Sequence, residues 1–105
     1  MLPASLPLVL SAVLPVDETF PEFKGFNKRI KHLNAQIETL ASTRAHTVYL
    51  DVGSSLADAD GNLRRDLADG DGIHPNAKGI AIWRDALSGA ISRLPVAEAA
   101  PPSVP

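Results

Sequence analysis

The segment LVLSAVLP, residues 8–15, decides the fold class of this chain. Its first seven residues are nearly all apolar and rich in Val and Leu, which is typical of a β-strand covered on both faces. Pro15 cannot donate a hydrogen bond to a neighbouring strand, so the strand is expected to end before it. A parallel strand of this kind needs helices on both sides of its sheet.

A helix and a second strand follow. Between residues 21 and 42, apolar side chains recur with spacings of three and four, which predicts one helix with a single buried face. This stripe consists of Phe23, Phe26, Ile30, Leu33, Ile37 and Leu40. Residues 47–52, TVYLDV, are β-branched and aromatic and predict a second strand. Strand, helix and strand with short connections predict a βαβ unit with parallel strands.

Two acidic stretches after the second strand leave alternatives open. Asp51 lies at the end of that strand, where α/β folds gather functional groups, but it can equally cap a short helix near Ser54. Residues 57–71 are rich in Asp and Gly and predict a surface loop. A calcium loop is the alternative, although a count from Asp58 puts Asp69 rather than Glu at the twelfth position.

The motif DGIHPNAKG, residues 71–79, is the candidate functional site. Asp71 stands three residues before His74, so its carboxylate can accept a hydrogen bond from Nδ1–H and leave Nε2 free as a base. Gly72 lets the backbone bend without a Cβ penalty, and Asn76 is a suitable N-cap. The plain alternative is a surface Asp-Gly turn beside a solvated histidine.

The last predicted element is a helix over residues 76–94. Its apolar side chains are again three or four residues apart and predict one buried face. They are Ile80, Trp83, Leu87, Ile91 and Leu94. Gly79 in the first turn costs about 1 kcal/mol relative to Ala, which suggests close packing against a neighbouring backbone. Residues 95–105 are rich in Pro and Ala and predict a disordered tail.

Composition and charge exclude several classes of function. The 105 residues suffice for one small domain, and the net charge of −2 argues against a nucleic-acid or membrane partner. The absence of cysteine removes disulfides, thiolate metal sites and cysteine nucleophiles, and the compartment stays unknown. Residues 1–16 lack the basic start of a signal peptide, so a buried strand is the preferred interpretation.

Taken in order, these features resemble the carboxyl-terminal half of an SGNH (GDSL-type) hydrolase. The segment VLP at 13–15 resembles the strand end that precedes a substrate-side loop in that family. Asn34, with the segment YLD at 49–51, resembles the family's next helix and strand. The residues that resemble its final Asp-x-x-His block and closing helix are Asp71, His74, Asn76, Gly79 and Trp83.

The resemblance implies a partial flavodoxin-like α/β/α sandwich, made of a βαβ unit plus a carboxyl-terminal helix. Residues 1–94 would form the carboxyl-terminal part of the hydrolase domain. The implied reaction is hydrolysis of a carboxylic ester, such as an acylated sugar or lipid, with no metal or organic cofactor. In that family Asp71 would orient the imidazole, and His74 would take the proton from an attacking serine.

The sequence departs from the family in one respect. It has no Gly-Asp-Ser nucleophile segment and none of the oxyanion-hole blocks, so it is interpreted as an esterase fragment that is inactive alone. The alternative is a non-catalytic α/β module that acts through a complementing partner chain or by self-association. Because two parallel strands do not make a self-sufficient sheet, the open edge of the first strand predicts a marginal monomer or an oligomer.

Overall fold

The computed structural model describes residues 5–94 and contains a two-stranded parallel sheet. Strand β1 (Leu8–Ser11) pairs with β2 (Thr47–Leu50) residue for residue along its length. The long helix α1 (Phe26–Ser42) connects the two strands. The predicted βαβ unit with parallel strands is therefore confirmed.

The chain then runs from β2 into helix α2 (Gly53–Leu56), a loop containing a 3₁₀ turn (Arg65–Leu67), and helix α3 (Ala77–Ser92). Alternate residues of a strand point to opposite faces of a sheet. Leu50 packs in a cluster with side chains of α3, whereas Tyr49 lines a groove with side chains of α1. The two long helices thus cover opposite faces of the sheet, which confirms the α/β/α architecture.

Strand β1 is shorter than the predicted 8–14. The Ala12 N–H still donates to the Leu50 carbonyl (2.8 Å). The next residue, Val13, instead bonds through both its backbone groups to the Asn34 side chain on α1. The apolar run is therefore longer than the strand. Beyond Ala12, the hydrogen-bond partner of the backbone is a side chain of α1 and no longer the neighbouring strand. Strand β2 likewise ends before the predicted residue 52.

The single helix predicted over residues 21–42 is two elements. A 3₁₀ turn covers Pro21–Phe23, and α1 begins only at Phe26. Between them Gly25 has a φ of 86°, in the left-handed region. Only glycine adopts that conformation readily, and a left-handed residue cannot continue a right-handed helix. The prediction is wrong at this boundary for that reason.

The face that α1 buries differs from the predicted one. Phe26, Leu33 and Leu40 are 40%, 45% and 57% exposed. The better covered side chains of α1 are those of Asn27, Ile30, Asn34, Ile37 and Ala41. The buried face is therefore rotated by about one residue around the helix, and core packing was a wrong prediction for Phe26, Leu33 and Leu40.

Helix α3 shows the same displacement. Ile80, Leu87 and Ile91, which the apolar spacing predicts to be buried, are 51%, 38% and 50% exposed. The side chains that pack against the core are those of Ile82, Trp83, Ala86 and Ala90. Small residues on this face let the helix approach the sheet closely. The prediction is wrong for Ile80, Leu87 and Ile91, whereas Trp83 and Leu94 are partly buried.

The best buried cluster lies between β2, α3 and the loop that joins α2 to α3. Leu56 and Leu63 are 0% and 1% exposed, and Leu67 is 4% exposed. Full burial of such a side chain stabilises the fold by about 1.5–3 kcal/mol. Leu63 and Leu67 belong to residues 57–71, so the prediction of a plain surface loop is wrong for these two leucines.

The predicted disordered tail, residues 95–105, lies outside the described residues. Among residues 5–94, no helix has both the length and the apolar character that crossing a membrane requires.

Candidate active site

The motif at 71–79 forms a tight turn that precedes α3. Gly72 has a φ of 80°, and a Cβ at this position would lie 2.8 Å from the ring of Phe20. The position therefore requires glycine both for its backbone conformation and for space. The Gly72 carbonyl accepts a hydrogen bond from the Asp17 N–H (2.8 Å). The loop that follows β1 thus contacts this turn through Asp17 and Phe20.

The start of α3 is held by its own cap. Asn76 Oδ1 accepts from the Gly79 N–H (3.0 Å), while its Nδ2 donates to the Asp66 carbonyl (3.0 Å). A Cβ on Gly79 would lie 2.6 Å from the Leu67 carbonyl oxygen and 2.8 Å from Cβ of Pro75. The predicted N-cap and the predicted close backbone approach at Gly79 are both confirmed.

Asp71 and His74 are hydrogen-bonded to each other within this turn. The distance between His74 Nδ1 and Asp71 Oδ2 is 2.5 Å. Oδ1 of the same carboxylate accepts the backbone N–H groups of Ile73 and His74, each at 2.9 Å. The predicted contact between the two side chains is confirmed. Because Nδ1 is occupied, Nε2 is the nitrogen left for an incoming molecule.

These hydrogen bonds shift the pKa values of both groups. The pKa of Asp71 lies below its usual range, because the backbone N–H and the imidazole of His74 donate to it, and so does the Ile73 N–H. The hydrogen bond and the negative charge of Asp71 raise the pKa of His74, and the charge of Asp69 adds to this. The His74 imidazole is 69% exposed and is therefore accessible from solvent.

Asp51 and the acidic loop have structural partners of their own. Asp51 Oδ2 accepts from Ser54 Oγ (2.8 Å), and its Oδ1 accepts from the Ser54 N–H (3.4 Å) at the start of α2. The N-cap residue of α2 is nevertheless Val52. Asp58 Oδ1 accepts from the N–H groups of Asp60 and Asn62 (2.9 and 3.0 Å) and closes a turn. In the part of the chain that the structure describes, no three His or acidic side chains are grouped to hold a metal ion.

A buried carboxylate beneath the turn was missed in the sequence. The Asp17 side chain is 5% exposed and lies 3.5 Å from Arg65 Nε. It accepts from the hydroxyl and the N–H of Thr19 (2.6 and 3.0 Å), and the pKa of Asp17 is lowered chiefly by that hydroxyl. Its position in an ordinary polar loop gives no periodic or motif signal from which burial could be predicted.

Two cavities lie near these elements. The smaller, of about 330 Å³, adjoins the turn. It is lined by Asp17, Phe20, Arg65, Ala68, Gly70 and Gly72. The larger, of about 640 Å³, is an open groove along α1 whose lining includes neither Asp71 nor His74. Neither Asp71 nor His74 lines either cavity, although the smaller one adjoins their turn through Gly70 and Gly72.

No serine is hydrogen-bonded to the imidazole among residues 5–94. The serine hydroxyls that make hydrogen bonds there have partners no more than three residues away in sequence. They are those of Ser11, Ser42, Ser54 and Ser92. The described residues thus contain an imidazole hydrogen-bonded to a carboxylate, with no serine hydroxyl in contact with that imidazole.

Two solved structures share this fold. One, from Bacteroides fragilis NCTC 9343 and described as a candidate acylhydrolase, matches with a TM-score of 0.71 and 24% identity over 84% of this chain and 43% of that one. The other, from Streptococcus pneumoniae and described as a candidate platelet activating factor, matches with a TM-score of 0.70 and 24% identity over 79% and 40%. This chain spans less than half the length of either. The fold class is that of the flavodoxin-like SGNH acylhydrolases.

The model of the GDSL-like lipase/acylhydrolase family matches residues 3–82. The chain therefore belongs to the GDSL-like lipase/acylhydrolase family. None of the curated proteins matches its sequence.

Proposed function

We propose that this chain supplies the base and its orienting carboxylate to an SGNH-type serine esterase. His74 Nε2 accepts the proton of a serine hydroxyl as the serine oxygen attacks the ester carbonyl, and later returns that proton to the leaving alcohol. Asp71 keeps the imidazole in the tautomer that leaves Nε2 free and stabilises the imidazolium. The observation that carries this assignment is the 2.5 Å contact between Nδ1 and Oδ2 beside an exposed imidazole.

The serine and the oxyanion donors come from outside these residues in this proposal. The sequence lacks Gly-Asp-Ser, and the two solved structures are matched over only 43% and 40% of their lengths. Both facts support assigning residues 1–94 to the carboxyl-terminal half of a hydrolase domain. The substrate class that family membership favours is a carboxylic ester such as an acylated sugar or lipid.

The loss of rate expected without the serine and the oxyanion donors predicts that the chain alone is inactive. Loss of a triad serine costs about 10⁶-fold in turnover even when the oxyanion hole remains. The purified chain should therefore hydrolyse p-nitrophenyl acetate no faster than its His74→Ala variant. Hydrolysis by the unmodified chain well above that control would contradict the assignment of the nucleophile to another segment.

A joined protein tests the roles of the two residues directly. The Gly-Asp-Ser-bearing half of a family member is placed ahead of residue 5, and turnover of p-nitrophenyl acetate is measured. We expect His74→Ala to lower turnover by about 10⁶-fold and Asp71→Asn by about 10⁴-fold, as in serine-protease triads. A folded, active joined protein that keeps its turnover after His74→Ala would refute the proposal.

The second candidate function is a non-catalytic module that acts through a partner chain or by self-association. It is favoured by the exposed apolar side chains of both helices, such as Leu40 at 57% and Ile80 at 51%. Within residues 5–94, β1 also has a neighbouring strand on one edge only. Sedimentation over a concentration series separates the cases, because a monomer of constant mass with a sharp two-state melt would exclude self-association.

A further inference from the structure

Two asparagines on α1 hold the loop after β1 in the same way. Asn34 Oδ1 accepts from the Val13 N–H (2.7 Å), and its Nδ2 donates to the Val13 carbonyl (2.9 Å). Asn27 Oδ1 accepts from the Val16 N–H (2.8 Å), and its Nδ2 donates to the Val16 carbonyl (2.8 Å). Each amide thus pairs with both backbone groups of one residue, as a neighbouring strand would do.

The two clamps differ in what lies beyond them. Val16 is followed directly by Asp17, whose N–H donates to the Gly72 carbonyl (2.8 Å) inside the His74 turn. Val13 lies three residues further back and makes no such bond to the turn. Asn27 therefore binds Val16, the residue that directly precedes the one bonded to the turn. Asn34 binds Val13, which makes no bond to the turn.

The segment between Asn27 and the turn is itself tightly held. The Val16 carbonyl also accepts from the Leu63 N–H (3.2 Å), and Val16 is 8% exposed. The Asp17 carboxylate is buried and bound by Thr19. Phe20 then lies against Gly72, where an added Cβ would meet the ring at 2.8 Å. A displacement of Val16 is consequently passed to Gly72 rather than absorbed by a loose loop.

We propose that Asn27 is a positioning residue for the Asp71–His74 pair, acting through Val16 and Asp17 on the Gly72 carbonyl. The inference rests on the proposed function for its relevance to catalysis, but the coupling itself is a property of the folded chain. Asn27 touches neither the imidazole nor a substrate. In this proposal Asn27 fixes the position of the Gly72 carbonyl. It thereby sets the alignment of the Asp71 carboxylate with His74 Nδ1.

The test compares Asn27→Ala with Asn34→Ala in the full chain without substrate. Asn34→Ala loses the two bonds to Val13, whereas Asn27→Ala loses the two bonds to Val16 and also the bonds from Nδ2 to the Gly61 carbonyl (3.2 Å) and to Asn62 Oδ1 (3.3 Å). The readout is the titration of the His74 imidazole by NMR, since its pKa depends on the bond to Asp71 and on the charge of Asp69. We expect Asn27→Ala to lower the pKa of His74 towards about 6.5, and Asn34→Ala to leave it as in the parent chain.

Amide exchange adds a second readout at the link itself. The Asp17 N–H should exchange roughly fivefold faster in Asn27→Ala, the factor that corresponds to about one lost hydrogen bond. The same amide should exchange at the parent rate in Asn34→Ala. An unchanged His74 titration in Asn27→Ala, or an equal change in Asn34→Ala, would overturn the proposal.

A milder variant covers the case in which Asn27→Ala does not fold. Thr19→Val removes the 2.6 Å hydroxyl bond to Asp17 at nearly constant volume and on an exposed side chain. It should shift the pKa of His74 in the same direction by a smaller amount, and no shift would refute the coupling. Asn27→Ala could change the His74 titration while the joined esterase keeps its turnover after His74→Ala. In that case the proposed function fails and the positioning role of Asn27 stands.

Discussion

The cluster around Leu56 and the outer stripes of the two long helices contain the same kinds of side chain in opposite environments. Leu56 and Leu63 are 0% and 1% exposed, whereas Leu40 and Ile80 are 57% and 51% exposed. In the first region, β2, α3 and the loop between α2 and α3 pack against one another. In the second, the described residues leave about half of each of these side chains exposed. Apolar spacing alone therefore does not tell which leucines stabilise this fold.

The largest expected effect comes from opening the covered region. Leu56→Ala should lower the free energy of unfolding by about 2–5 kcal/mol, because it removes a side chain and leaves a cavity. Leu40→Ala, the matched change on the exposed stripe, should cost no more than about 0.5 kcal/mol. Urea unfolding measures both. Equal losses would show that the outer stripe of α1 is covered in solution.

The turn that carries His74 should be nearly as sensitive. Gly72→Ala should cost about 1–2 kcal/mol for its left-handed backbone, and about 1–3 kcal/mol more for overlap with the Phe20 ring. Gly61 is the control, because its φ is 86° and nothing lies within 4 Å of an added Cβ. Gly61→Ala should show the backbone cost alone. A smaller loss for Gly72→Ala than for Gly61→Ala would contradict the packing of Phe20 beneath the turn.

The next effect is a change in pH dependence. Protonated His74 stabilises the fold at pH values below about 6.5, and this contribution is lost as the pH rises through its raised pKa. Ionised Asp71 stabilises the fold above pH 3.8, and its contribution is lost as the pH falls through its lowered pKa. Asp71→Asn should therefore cost more stability at pH 5.5 than at pH 9.

Urea unfolding of the parent chain and of Asp71→Asn at these two pH values measures that difference. The side chain of Asp85 on α3 makes no hydrogen bond or ion pair within residues 5–94, so Asp85→Asn is the control. A stability loss for Asp71→Asn that is the same at pH 5.5 and pH 9 would show that the ion pair does not form in solution.

The smallest effect on stability is expected on the outer stripe of α3. Leu87→Lys should change the free energy of unfolding by no more than about 0.5 kcal/mol, since the side chain is 38% exposed. The same change should weaken any self-association through this stripe. Sedimentation at several concentrations measures the mass. An assembly that persists unchanged in Leu87→Lys would place the contact on another surface.

Local patterns predicted a large part of the fold and the candidate site. The β-branched and apolar runs became parallel strands, and the segment with helical periodicity between them became the crossover helix α1. Asn76 was predicted correctly because a cap depends on neighbours in sequence. Gly79 was predicted correctly from the cost of glycine in a helix, although the backbone that it approaches is that of Leu67 in the preceding loop. The contact between Asp71 and His74 was predictable for the same reason, since one tight turn holds both.

The errors arose wherever distant segments meet. The spacing of α3 fits two faces, and the fold selected the one with Ala86 and Ala90 because small side chains let the helix approach the sheet. On α1 the polar Asn27 and Asn34 lie on the covered side because they pair with loop backbone, which no hydrophobic pattern records. Leu63 and Leu67 were hidden among polar neighbours in the same way.

The sequence by itself determined the order of strand, helix and strand, the cap at Asn76, and the contact between Asp71 and His74. The strands and the helix follow from apolar periodicity, and the cap and the contact each depend on only a few neighbouring residues. Only the tertiary structure decided which helix faces are covered, that Asp17 is buried, and how the loop after β1 supports Gly72. Those outcomes depend on packing and hydrogen bonds between segments tens of residues apart. Burial is a property of the assembled surface and not of any one segment.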